Sequence, residues 1–304
     1  MKNQKFIVDG GLLLAIYILM LLGATFVPFL GIILTFLLPI PFVIFASRYD
    51  IRRSILFLVA ATILSLLFTS VSGLVFSLIY GVGGVVYGIL VQKNKKSIEV
   101  LLGLTVSFMI TFVIIYVAAS TLFSFDFTAL ILQSAEESIE LMRQLGTQNE
   151  AMIKQFEESL EVFKYLLPSL LVITAFMFAL ITQLVTYPVL RRVVQGVNKL
   201  PAIREITLPL SIIWYYLTVL ILMFFEMEVG TFYYMAVTNL FYILQLLMVI
   251  QGISFIFFFS HVRGLPKIVP IIIVLMTPFL LSIIRILGII DLGFQLRKKI
   301  KPKS

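Results

Sequence analysis

Cysteine is absent from the chain and histidine occurs once, at His261. The first absence excludes disulfides, thiolate nucleophiles and cysteine metal sites. The second leaves no group of imidazoles to hold a metal. No G-x-x-x-x-G-K-[ST] string occurs, so the chain has no P-loop with which to hydrolyse a nucleoside triphosphate. Charge is scarce too. Asp, Glu, Lys and Arg make up 12% of the residues, about half the share in an ordinary soluble domain. Inside the apolar runs the exceptions are Arg285 and Asp291, which are candidate partners for each other. A proton- or ion-driven carrier usually needs an acid near the middle of the membrane. Intramembrane hydrolysis needs a Ser/His pair, two acids or a metal set. Neither pattern is legible, so the sequence reads as a non-enzyme with no cofactor and no metal.

What the chain has in abundance is hydrocarbon: 61% hydrophobic residues and a mean hydropathy of +1.12. The apolar runs are continuous and about 20 residues long, the length that carries an α-helix across a bilayer. A β-barrel would show short alternating segments instead. The expected fold is therefore all-α, a polytopic transmembrane helical bundle. Its eight spans lie near 7–27, 31–47, 54–72, 73–91, 100–124, 165–190, 208–225 and 231–260. Pro39 and Pro41 should break or kink the second. A ninth apolar segment, 268–294, either doubles back at Pro278 or crosses once. The first run follows Lys2 and Lys5 but is too long for a signal peptide, and is expected to be a retained span.

The net charge of +8 does not form a nucleic-acid-binding face. The basic residues sit in short loops: Arg48, Arg52 and Arg53; Lys93, Lys95 and Lys96; Arg191, Arg192, Lys199 and Arg204. Basic loops stay inside. The expectation is a multi-pass plasma-membrane protein with a cytoplasmic N-terminus, its partner the lipid bilayer and not nucleic acid. Between spans five and six lies the one long stretch with a charged face, 125–164. Ile131, Ala135, Ile139 and Met142 recur at helical spacing, and so do Met152, Phe156, Leu160 and Phe163. The loop Gly146–Asn149 separates them, which predicts an extracytoplasmic amphipathic helical hairpin. The chain thus divides into a five-span bundle (1–124), the hairpin (125–164), and C-terminal spans with a basic tail (165–304).

Two patterns in the spans could carry a mechanism. Ser70, Gly73, Ser77, Gly81, Gly84 and Gly88 step by three and four along span four, and Gly11 and Ala15 form a shorter pair in span one. Small residues admit another helix backbone, either from the same bundle or from a partner. Tyr234, Thr238, Tyr242 and Gln245 share one quadrant of span eight. They are candidates for a solute pocket or for interhelical hydrogen bonds. Trp214 to Tyr216 reads as an interfacial aromatic belt.

A first span GGLLLAIYILMLLG runs towards Pro28, and a Pro-bearing second span, LLPIPFVIFASRYD, ends in a basic turn. A Gly-rich fourth span, SLIYGVGGVVYGIL, and the ending RILGIIDLGFQLRKKIK complete the pattern. Over nearly its full length the chain resembles the YybS-like family of functionally uncharacterised bacterial membrane proteins. Its 7–190 part is similar to the S-component fold of energy-coupling-factor transporters and, more distantly, to MreD-type proteins. In S-components a small-xxx-small motif of the first helix meets the coupling helices of a separate ATPase-driven module, and Gly11-xxx-Ala15 matches that type in part. The resemblance implies a solute-binding or transport subunit that depends on such a partner. The rival reading is a membrane scaffold that gathers envelope or cell-shape proteins through its acidic hairpin.

Overall fold

In lipid every backbone N–H and C=O must find a partner within the protein, and a helix satisfies them locally. The computed structural model describes residues 2–144, 150–194 and 196–300, and all regular structure among them is helical. The order is α1 (Lys2–Phe26), α2 (Leu30–Leu37), α3 (Pro39–Arg48), α4 (Ile51–Gln92), α5 (Ser97–Phe123), α6 (Phe127–Gln144) and α7 (Glu150–Tyr165). There follow α8 (Leu167–Val193), α9 (Ser211–Leu222), α10 (Phe232–Val262), α11 (Ile268–Leu275), α12 (Thr277–Phe294) and α13 (Leu296–Lys299). By length and composition, seven apolar helical stretches among the described residues can cross a membrane. The described chain forms two compact units, residues 1–131 with 174–200, and residues 132–173 with 201–304.

In the first unit the expected break at the prolines falls at Leu38, where α2 ends and Pro39 opens α3. A ring without an N–H is harmless in a first turn and disruptive in a helix interior. The 42 residues of α4 are two arms folded against each other. Ser77 Oγ donates to Thr62 Oγ1 at 2.8 Å, though fifteen residues of straight helix would separate them by about 22 Å. The reversal lies at Thr69 and Ser70, where Ser70 takes a positive φ of 58°. Thr69 Oγ1 donates to Ser65 O and Ser72 Oγ to Thr69 O, so short hydroxyl side chains satisfy carbonyls that the interrupted helix cannot. The two arms coincide with the third and fourth expected spans, 54–72 and 73–91, and a turn tighter than a loop joins them.

The span-four stripe lies inside this unit. A Cβ on Gly84 would stand 2.6 Å from Phe42 Cβ and 2.8 Å from Pro39 O; one on Gly88 would stand 2.6 Å from Val43 O. Gly81 faces Leu58 and Phe42. Tyr17, Phe42, Phe45 and Phe57 fill the space these glycines leave, with Phe45 stacked on Phe57 at 4.3 Å. Gly11 and Ala15 are exposed on α1, and a Cβ on Gly11 meets nothing within 4 Å among the described residues.

Helices α6 and α7 occupy the stretch expected to form the hairpin. Ala135 and Ile139 are buried, and Ile131, Met142, Phe156, Leu160 and Phe163 are half-buried. Glu136, Glu137 and Glu140 are exposed. The apolar stripes thus face inward, while the connecting Gly146–Asn149 and the side chain of Met152 lie outside the described residues.

The second unit is organised on α10, a helix of 31 residues. Its neighbour α12 approaches backbone to backbone: a Cβ on Gly252 would strike Ile284 O, and one on Gly288 would strike Met248 O. The ninth apolar segment is two helices, divided at Met276 just before Pro278. The seventh expected span is helical over only 12 residues, Ser211–Leu222. That is about 18 Å of helix against the ~30 Å of a bilayer's hydrocarbon. Trp214 and Tyr215 are exposed, but Tyr216 is buried in this unit's core with Ile213, Val219 and Met248, which removes it from the expected belt.

Candidate functional site

The residues before α9 explain why that helix is short. Pro209 disfavours helical geometry at the residue before it, and the backbone from Ala202 to Ile206 is extended at both ends around a single 3-10 turn, Ile203–Glu205. This segment is exposed at Ile203, Arg204 and Glu205 and half-buried at Ala202 and Ile206, and its irregular carbonyls and N–H groups need partners that a helix would have supplied. Here α10 and the C-terminal end supply them. Ser254 Oγ lies 2.5 Å from Ile203 O and 2.6 Å from Ile206 O. The Leu208 N–H donates to Gln251 Oε1 at 3.0 Å. Arg297 Nη1 donates to Arg204 O at 2.9 Å and to Ile206 O at 3.0 Å.

Arg297 arrives there because Gln295, in the left-handed region at φ 49°, ends α12 and turns α13 back. Its Nε donates to Asp291 Oδ2 at 2.9 Å and its Nη2 to Ser254 Oγ at 3.0 Å. Gln251 Nε2 donates to the same Asp291 oxygen at 2.6 Å. The guanidinium lies over the Phe258 ring at 5.4 Å. Gln251, Ser254 and Asp291 are at most 2% exposed, and Asp291 Oδ1 is buried with no hydrogen-bond partner among the described residues. Gln251 lies about 16 Å along the axis before the end of α10. One acid meets one permanent cation, so the site carries no net charge. Its geometry suits gripping backbone and a planar cation.

This placement corrects the expected pairing of Asp291 with Arg285. Residues six apart on a helix sit about 240° apart around its axis, so Asp291 turns to Arg297 and Gln251 while Arg285 is half-buried elsewhere on α12. Of the expected polar face on span eight, Tyr234 sets its ring edge-on to Tyr165 at 5.6 Å. Thr238 is buried, Gln245 is half-buried and Tyr242 is 37% exposed. The next residue round the helix from Thr238, Asn239, does more: its Oδ1 accepts from Ser169 N at 2.7 Å and its Nδ2 donates to Tyr165 O at 2.7 Å. It thereby clamps the joint between α7 and α8 to α10. Asn239→Leu orphans both backbone groups, at about 1–3 kcal/mol each. The expected result is faster amide exchange at 165–169 with α9 unaffected, read by hydrogen–deuterium exchange.

Gln251, Ser254 and Arg297 were missed by pattern reading. Gln251 and Ser254 stand alone as polar residues in an apolar run, and Arg297 reads as one more tail cation until the turn at Gln295 is seen.

A family model described as "Predicted membrane protein (DUF2232)" matches residues 15–292. The chain is also 27% identical over 310 residues to the "Uncharacterized protein YybS" of Bacillus subtilis (strain 168), covering 99% of this chain and 100% of that protein. No solved structure matches it.

Proposed function

The chain belongs to the DUF2232 family of predicted membrane proteins, and we propose that it is a non-catalytic plasma-membrane subunit that handles a solute and depends on a separate energising partner. One observation carries this reading. The stretch from Pro201 to Leu222 is extended for its first part and helical only from Ser211, with its backbone held by buried polar groups of α10, and we take it as an interrupted span that begins in the basic loop. Discontinuous spans of this kind line solute and ion paths in transporters, where unwound backbone offers its dipoles to cargo. Buried ionisable residues in a span point to function by default. On this reading α10 presents the solute-facing groups, including Tyr234, Thr238, Tyr242 and Gln245, and the N-terminus lies in the cytoplasm.

The partner-facing surface in this proposal is the exposed side of α1. The span-four glycines are occupied within their own unit, whereas Gly11 and Ala15 stand exposed between Val8, Leu12 and Leu19. An ATPase-driven transport module is the expected occupant, in the manner of S-components.

The test is affinity capture in mild detergent from cells expressing tagged protein. Gly11→Leu is expected to keep the wild-type thermal transition, since its side chain enters open space, and to lose co-purifying ATPase subunits by about tenfold or more, as about 1.4 kcal/mol of lost docking energy requires. Gly84→Leu forces Phe42 and the Pro39 carbonyl aside and should lower the transition by about 5 °C. Should capture be indifferent to Gly11 yet lost on deleting 126–164, the acidic arm is the docking element and the scaffold reading replaces this one.

A further inference from the structure

The surroundings of Arg297 have the form of a receptor for a guanidinium group. A guanidinium is flat, with five N–H donors around its rim and two weakly hydrated faces. Four donations leave the rim here, to Asp291 Oδ2, Arg204 O, Ile206 O and Ser254 Oγ, and an aromatic face, Phe258, covers the plane. The acceptors come from three separate parts of the unit: α12, α10 and the extended segment before α9. The carboxylate keeps a second, buried oxygen without a partner among the described residues, and the arginine side chain remains 13% exposed. The occupant is supplied by the last helical turn of the described chain, α13, which has four residues and no buried one. An anchor on so short an arm is held mainly by its own head group.

We propose that this seat binds guanidinium-bearing solutes and that Arg297 is an exchangeable plug in it, so that the C-terminal segment straps residues 203–206 to α10 until an outside guanidinium takes its place. The seat is read from geometry alone, so failure of the partner capture described above leaves it untouched. A tethered group presents itself at an effective concentration of millimolar or more. An outside ligand therefore meets strong competition in the wild type and little once the arginine side chain is gone.

Methylguanidinium is the probe, and the protein is the full chain in mild detergent. Arg297→Ala should lower the thermal transition by about 5–10 °C, because it leaves Asp291 uncompensated. Millimolar methylguanidinium should restore most of that loss saturably, while sodium or tetramethylammonium at the same concentration should not. The double variant Arg297→Ala/Asp291→Leu should show no rescue. In the wild-type background a nitroxide on Lys299→Cys, unique because the chain has no cysteine, should become mobile at methylguanidinium concentrations about 10–100 times higher, the penalty of competing with a tethered group. Absence of saturable rescue, or equal rescue by sodium, overturns the receptor; a label unmoved at those concentrations overturns the exchange. Arg297→Lys keeps the charge without the planar rim and carries the same titration if the alanine variant does not fold.

Discussion

Gly288→Val is expected to prevent the second unit from assembling. A Cβ at this position strikes the carbonyl oxygen of Met248 and stands 2.8 Å from the amide nitrogen of Gly252. Both obstacles are backbone inside a helix, so no rotamer change relieves them, and α12 must move away from α10 as a body. Overpacking that side chains can absorb costs about 1–3 kcal/mol; here separation also opens the packing of Ile284 on Val249 and Ile256. It draws Asp291 off Gln251 as well. In lipid no hydrophobic drive holds helices together, so lost van der Waals fit is not recovered elsewhere. The measurement is monodispersity on size exclusion in mild detergent, with loss of the wild-type peak expected. Gly293→Ala is the control: there the nearest atom is the end of a flexible side chain, Ile213 Cδ1 at 2.9 Å, and the variant should elute as wild type. Equal elution of the two variants would show that the backbone contact at Gly288 is dispensable.

Asp291→Leu should cost about 3–5 kcal/mol, the range for removing one member of a buried ion pair. The arginine side chain is 13% exposed and the carboxylate 1%, so little solvent is on hand to screen the cation left behind. Gln251 loses the acceptor of its amide at the same time. The thermal transition should fall by roughly 10 °C. Arg297→Met alone should be severe too, because Arg204 O and Ile206 O lose their donors. The double variant should lose clearly less than the sum of the two single losses, since no unpaired charge remains. Strict additivity would mean that the pair has no mutual energy and that Arg297 serves only the carbonyls.

Much of the first unit was legible from residue order. Pro39 announced the break between α2 and α3, and the three-and-four spacing of small residues announced the close approach that Gly84 and Gly88 make to α3. In the second unit the helical spacing of Ala135, Ile139 and Met142 likewise announced the buried side of α6. These are local signals: a proline acts on its own turn, and helical periodicity needs only one element. The eighth span, read as 231–260, is α10 almost to the residue, but the same reading missed long-range partners in the second unit. It paired Asp291 with Arg285 because both lie in one apolar run, and it drew the helix of 208–225 three residues too long at each end because the residues there are greasy.

Composition alone determined that this chain is a helical membrane protein, because hydrocarbon length and backbone self-sufficiency are properties of single segments. Which arginine meets Asp291, why α9 starts only at Ser211, and which small residues remain open on α1 were decided by tertiary structure. Each depends on groups far apart in the chain: Arg297 reaches Arg204 across ninety-three positions. Such a partner is chosen by where the turn at Gln295 sends the chain, and hydropathy, which sums over neighbours in sequence, carries no record of it.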